Sequence, residues 1–434
     1  MRSWGGLPAK SQSETVVSWA SEVKPALARP GRVQAGLACG NGRSYGDCGL
    51  AANGRQLVTL RLDKFLDFDP EQGVLSCEAG VTLDDILSFC VPRGWMLPVL
   101  PGTRYVTVGG AIANDIHGKN HHRQGSFGRH VRSLELQRSQ GELLHCSPTE
   151  NADWFAATIA GLGLTGVVMA AQLQLQRITG SELQTETIKF AHLRDFFSLA
   201  AESDEHFEYT VSWVDCLARG EQLGRGHFIR ANPVAGKLVY PKGGSKLAVP
   251  VQLPVSLINR YTLRAFNAAY YHRQRTPSKE STQAMQSFFF PLDGIRNWNR
   301  IYGRAGFRQF QCVVPKAESE SAIAELLERV AMVGDGSFLV VLKTFGALLS
   351  PGLLSFPREG TTLALDIPWR GERSEQLLKA LEQTVVSAGG AIYPAKDAHM
   401  SRESFRRAYP GWSAFAPFRD RAIASLMSQR LLDE

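Results

Sequence analysis

Between residues 40 and 47 the chain reads GNGRSYGD, which sets Gly40, Gly42 and Gly46 among Asn41, Arg43, Ser44 and Asp47. Residues of these types bury little apolar surface and favour turns with positive φ. Such turns converge backbone N–H groups on one point, and the missing Cβ atoms let a phosphate come within hydrogen-bond distance. Arg43 adds charge and Ser44 a hydroxyl, so the segment reads as an anion nest, although a surface turn between strands has the same composition. A second stretch, LPGTRYVTVGGAIANDIHGKNHH, runs from Leu100 to His122. Pro101 and Gly102 predict a tight turn leading through Thr103, and Val106 and Val108 alternate as a short strand. Gly109 and Gly110, followed by Ala111 and Ala113, strip side chains where something flat or phosphorylated approaches. Neither stretch is the G-x-G-x-x-G that opens a helix, and no P-loop is present. A dinucleotide is therefore expected to be held by loops rather than by one helix N-terminus. HGKNHH also sets His117 and His121 four apart, with His122 beside them. Gly118 and Asn120 are poor interior helix residues and no carboxylate or cysteine stands at ligand spacing, so no metal is expected.

These segments need elements to hold them. From about Val33 to Arg177 strands alternate with short helices: QLVTLRL at 56–62, VLSCEAG at 74–80, a helix from Thr82, then VRSLELQ and ELLHC flanking the turn at Gln140 and Gly141. Residues 166–177 alternate strongly and predict a long strand. The pattern loosens from Ile178 to Leu183, a crossing into a second unit. There FEYTVSWVD, FRQFQCVVP, SFLVVLKTFG and TTLALDIPW read as strands, with helices over 319–333 and 374–388. The whole is α+β, its second half an antiparallel sheet covered on one face by helices. On these strands alternation points Gln309, Gln311 and Lys343 to one side, where inward polar groups need partners. Residues 241–287 have patchy periodicity and read as a long irregular insertion, a lid or mobile segment.

In this order, GNGRSYGD, the run from Leu100 continuing into GSFGRHVRSLEL, GLGLTG at 161–166, FRQFQ at 307–311, LSFP at 354–357 and YPAKD at 393–397 resemble the vanillyl-alcohol-oxidase (PCMH) type of FAD-binding flavoprotein over nearly the whole chain. Within that type the chain resembles the branch that oxidises polyprenylphosphoryl pentoses. The resemblance implies a PCMH-type FAD-binding domain over residues 1–178, a substrate or cap domain over 179–390, and a C-terminal return to the first domain over 391–434. It implies Lys396 and Tyr45 as catalytic residues. Cofactor contacts are carried to Gly40, Asn41, Gly42, Arg43, Ser44, Tyr45, Gly46 and Asp47, to Pro101, Gly102, Thr103, Gly109, Gly110, Ala113 and Asp115, and to His117, Gly118, Asn120, His121, Gly166 and Lys396. Substrate contacts fall on His117, Lys119, Trp213, Gln309, Gln311, Lys343, Thr362 and Ala364. Members with a histidyl-flavin bond carry histidine where this chain has Arg43, so the FAD is expected to be noncovalent. The chain departs from the branch it resembles at Thr362, Ala364 and Phe289, which replace asparagine, cysteine and tyrosine; these changes bear on the substrate and not on the flavin.

The activity so implied is FAD-dependent oxidation of the C2 hydroxyl of a polyprenylphosphoryl pentose to the 2-keto sugar, the first half of a 2′-epimerisation in cell-envelope arabinose synthesis. A separate NAD(P)H-dependent short-chain reductase would complete it, since no second cofactor motif is visible. The alternatives are an alditol or aldonolactone oxidase acting on a soluble sugar, and a flavin-free binder of lipid-linked glycans. Composition suits an enzyme: 434 residues, 44% hydrophobic, are enough for two cores. No apolar run reaches the ~18 residues of a membrane span, and MRSWGGLPAKSQSE lacks the pattern of a secretory signal. The seven cysteines form no C-x-x-C pair, which predicts a reducing compartment. The expected location is cytoplasmic, with peripheral contact at the inner membrane. The net charge of +7 suits acidic partners. Arg260, Arg264, His272, Arg273, Arg275 and Lys279 thicken among Tyr261, Phe266, Tyr270 and Tyr271, which reads as a solvated helical face or a lipid-phosphate surface. No nucleic-acid reader motif accompanies them, so no nucleic-acid partner is expected.

Overall fold

The computed structural model describes residues 3–7, 11–27, 35–241 and 247–433. Strands Phe65–Asp69, Val74–Glu78, Val167–Gln174, Val131–Gln137 and Leu143–Cys146 form, in that spatial order, a five-stranded antiparallel sheet. Along VVMAAQLQ burial alternates with the sequence, so Val167, Met169, Ala171 and Leu173 point inward. Helix Leu83–Cys90 packs Leu83, Ile86, Leu87 and Cys90 into the core that holds Ala171 and Leu173. Its capping box is complete, Thr82 accepting from Asp85 N at 3.2 Å and Asp85 from Thr82 N at 3.1 Å. A parallel sheet of Ser13–Val16, Arg55–Val58 and Leu37–Cys39 feeds the chain from Cys39 directly into the Gly40 loop.

An eight-stranded antiparallel sheet fills the other half, in the order Ser278–Ala284, Glu182–Phe190, Gly226–Val234, Tyr209–Val214, Val340–Phe345, Gly360–Pro368, Phe307–Val314 and Ala391–Ile392. Helices Leu193–Ser203, Ser319–Val333 and Glu372–Ser387 pack on one face, where Phe310, Cys312, Leu342, Leu363 and Leu365 meet Leu326, Leu327 and Leu381. The pleat sends every second residue the other way. Register pairs Gln309 with Asp366, Gln311 with Ala364, and Lys343 with Thr362, and all of these but Asp366 line a cavity of about 900 Å³. The glycine loops supply its opposite wall.

Three expectations are corrected by the structure. Val108 does not extend a strand: residues Val108–Ala113 form a short helix capped by Thr107, whose Oγ1 accepts from Gly110 N at 3.2 Å. Small residues win here because the helix is pressed on strand backbone, Gly109 N donating to Ala79 O at 2.8 Å. The presumed irregular insertion contains helix Arg260–His272 and edge strand Ser278–Ala284; residues 242–246 lie outside the described residues. Its periodicity is patchy because Leu263, Asn267 and Tyr271 face inward while Tyr261 and Phe266 stay outside. The chain also leaves the large sheet later than Gly390, since Ala391 and Ile392 still pair with Val313 and Cys312. Among the described residues no helix is long and apolar enough to cross a membrane, and all seven cysteines are free and buried.

Candidate active site

The octapeptide loop is shaped by crowding. A Cβ on Gly40 would lie 2.2 Å from Thr107 Oγ1, and one on Gly46 would lie 1.8 Å from the Asp397 carbonyl oxygen. Gly42 turns the chain at φ 59°, where glycine is unstrained. Asn41 Nδ2 donates to Tyr105 O at 2.9 Å, which ties the first loop to the second. Arg43 lies over the rings of Trp4 and Tyr105, 4.5 and 5.1 Å from their centroids. Its Nε is buried and has no partner among the described residues, and burial lowers its pKa. Asp47 faces away from the cavity. It receives two bonds from Arg430, at 3.0 and 2.9 Å, and Arg430 also reaches Asp397 at 3.0 Å.

Three half-buried lysines face the same cavity. Burial lowers Lys396 to a pKa of about 8, against the opposing pull of Asp366. Lys343 falls to about 7 through burial and then through Lys396 and Lys119; Lys119 falls to about 7 through burial alone. Lys396 Nζ stands 4.9 Å from the Tyr45 ring centroid. Lys343 donates to Gly118 O at 3.1 Å, and Lys119 donates to Phe288 O. Behind them Gln311 Nε2 lies 2.9 Å from His117 Nε2 and 3.2 Å from Thr362 Oγ1. His117 thereby accepts at Nε2 and carries its proton on Nδ1. That nitrogen is buried without a partner among the described residues, and burial then Lys343 hold the ring neutral, its pKa well below the usual value. Gln309 Nε2 donates to Asp366 at 2.7 Å, and Tyr302 donates to the other oxygen at 3.2 Å. Asp366 is buried and its pKa is raised to about 6.

Of the residues predicted for the site, all line the cavity except four. Asp47 makes the staple just described. Asp115 is buried and accepts from Gly128 N at 2.7 Å and Ser355 Oγ at 2.5 Å. Asn120 donates to Pro98 O at 2.9 Å and Glu208 at 3.1 Å. His121 packs on Phe345 at 4.5 Å and is held near pKa 3, chiefly by burial. These four support the walls rather than face the space. Trp213 is fixed by a bond to Phe338 O at 2.9 Å, and its ring packs on Tyr270 at 4.5 Å. Phe289 is packed at 4.9 Å against Tyr209, so an apolar ring fits that corner.

Sequence reasoning missed Asp366, Asp293 and Tyr393. Asp366 was findable, because the alternation that aligns Thr362 and Ala364 continues two residues to a carboxylate in an apolar run. Asp293 accepts from Arg104 N at 2.9 Å and feels Arg43, and nothing local in FFFPLDG announces that. Tyr393 donates to Asn114 O at 2.7 Å, bridging segments 279 residues apart. The arrangement suits a long anionic group. Backbone open to approach at Gly102 and Gly163, the unpaired Arg43 Nε and the orphan His117 Nδ1 all lie on residues lining one cavity, where the orphan Gln309 Oε1 can accept from a hydroxyl.

Comparison with known proteins matches residues 32–147 to the FAD binding domain family. Over 414 residues the chain is 34% identical to decaprenylphosphoryl-β-D-ribose oxidase of Mycolicibacterium smegmatis, covering 91% of this chain and 88% of that one. A Streptomyces coelicolor protein known only as an uncharacterized protein in the mprA 5′ region is 33% identical over 76% of this chain and 92% of its own. Mouse L-gulonolactone oxidase is 31% identical, over 31% of this chain and 30% of its own.

Proposed function

The chain belongs to the FAD-binding family of decaprenylphosphoryl-β-D-ribose oxidase, and from that premise we propose that it oxidises the C2 hydroxyl of a polyprenylphosphoryl pentose to the 2-keto sugar. FAD, when bound, accepts the hydride that leaves C2. The residues present fit it: the two glycine loops with Arg43 would hold the diphosphate, and Tyr45 and Lys396 would flank the ring system. Arg43 in place of a tethering histidine makes the attachment noncovalent. In this reading residues 1–178 and the chain beyond Ile392 hold the cofactor, and residues 179–392 form the substrate half.

The observation that carries the reading is the convergence of Lys396, Lys343 and Lys119 with Gln309 and Gln311 on one cavity. Protonated Lys396 Nζ stabilises the negative charge that develops on the C2 oxygen as its proton passes to solvent water, an effect strengthened in a site of low dielectric. Asp366 sustains that charge. Lys343 and Lys119 attract the phosphodiester that links sugar to prenyl chain, and His117, neutral, donates from Nδ1. The 2-keto product requires a separate reductase to complete epimerisation, and the prenyl chain implies peripheral contact with a membrane.

Anaerobic bleaching of the flavin absorbance tests this. A farnesylphosphoryl ribose analogue bleaches the flavin, free alditols and aldonolactones do not, and Lys396→Ala slows bleaching about 100-fold while retaining its yellow colour. Bleaching by the soluble sugars alone would assign the chain to the soluble-sugar oxidases. Flavin that stays with acid-precipitated protein would overturn the noncovalent attachment.

A further inference from the structure

Large apolar side chains are seldom left in water in a row, yet Val251, Val255, Leu257, Tyr261 and Phe266 are between 40% and 77% exposed. They belong to one strap and the helix that follows it. The strap is anchored at both backbone and side chain: Arg300 Nη1 donates to Val249 O at 3.1 Å and Pro250 O at 2.7 Å, and Gln252 Nε2 donates to Gly303 O at 3.1 Å. Ile258, Leu263, Asn267 and Tyr271 turn inward. Asn259 caps the helix by accepting from Tyr261 N and Thr262 N at 3.0 and 3.2 Å, which holds the outward face in place.

The same region carries the charge of the molecule. Residues 247–304 hold eight lysines and arginines against two acidic residues, a net of +6 in a chain of +7. We propose that this face seats the protein on an anionic lipid bilayer, the strap and helix lying in the headgroup layer. Apolar residues interleaved with arginine suit that interface, where both the hydrocarbon and the phosphates find partners. A second copy is the wrong occupant, because a symmetric contact would set +6 against +6.

The position matches the substrate, and here the inference rests on the function proposed above. The helix Arg260–His272 carries Tyr270, whose ring lies 4.5 Å from Trp213, and both residues line the cavity with Arg273 and Gln274. The surface is thus continuous with the cavity wall, and a sugar still attached to its membrane-embedded prenyl chain enters from the side on which the protein rests.

Flotation of the FAD-loaded protein with vesicles tests the seat. The protein should float with vesicles of phosphatidylcholine containing one-third phosphatidylglycerol and remain behind with phosphatidylcholine alone. The double variant Val255→Asp/Leu257→Asp should lose about ten-fold or more of that partition, and Arg260→Glu/Arg264→Glu a comparable amount, each with unchanged flavin content and far-UV spectrum. Equal flotation of the variants, or none for the parent protein, overturns the proposal. So does a concentration-dependent dimer that the variants abolish in the absence of lipid. Bilayer binding needs no sugar, so a failure of the substrate reading in the bleaching series and a failure of this one are separately visible.

Discussion

Lys396 carries its charge in surroundings that resist it, and Asp366 is the acidic group that opposes the resistance. Burial takes the lysine from 10.5 to about 8, so its cation is present at neutral pH and is lost as pH rises through 8. A rate that depends on the cation therefore falls on the alkaline side. In Asp366→Asn the attraction is gone, the lysine releases its proton more readily, and the fall should move to lower pH by about half a unit or more. The check is the pH profile of anaerobic flavin reduction in both proteins. A profile that instead rises through pH 8 would make Lys396 the base and not the charge stabiliser. Residue-level chemistry was largely legible in the sequence. Most predicted contacts face one cavity, but side-chain direction was not readable in loops, and so Asp47, Asp115, Asn120 and His121 were placed on the cavity when they brace its walls. Asp115 illustrates the difficulty, since its partners Gly128 and Ser355 lie 13 and 240 residues along the chain.

At the scale of elements, strands with strict alternation and helices with a clear apolar face were found close to their true limits. The helix Ser319–Val333 has the span its periodicity predicts, and Val167–Gln174 is the long strand that its alternation announces. Sequence reading failed where tertiary contact overrides local preference. Val108–Ala113 is helical despite two glycines because Ala79 leaves no room for side chains: a Cβ on Gly109 would lie 3.1 Å from that of Ala79. The loop that opens at Gly40 obeys the same constraint. Gly46→Ala would drive its methyl into the Asp397 backbone, and overpacking of this kind costs roughly 1–3 kcal/mol. The variant should melt several degrees lower and purify with less FAD. Gly236→Ala, which meets nothing within 4 Å, should leave both unchanged. Differential scanning fluorimetry with flavin absorbance reads both.

On the scale of the molecule, the site is an agreement between distant parts of the chain. The staple from Arg430 to Asp47 and Asp397 closes it from behind, and its groups are mostly buried. Removing one partner strands the other charges, at a cost of roughly 3 kcal/mol. Arg430→Met should therefore lower the melting temperature, and excess FAD should recover part of the loss, because a ligand that binds only the folded form stabilises it by mass action. A thermal melt with and without added cofactor checks this; an unaltered apo melt would show the staple to be dispensable. The staple also sets an order of events during synthesis. Asp47 and Arg430 lie 383 residues apart, and at about 5–20 residues per second a ribosome needs some tens of seconds to travel between them. Through most of that interval the nascent glycine loop has neither its arginine nor the Asp397 carbonyl to rest on. A chain that ends before Arg430 should therefore hold FAD more weakly than the full chain, a difference that flavin absorbance after purification reads.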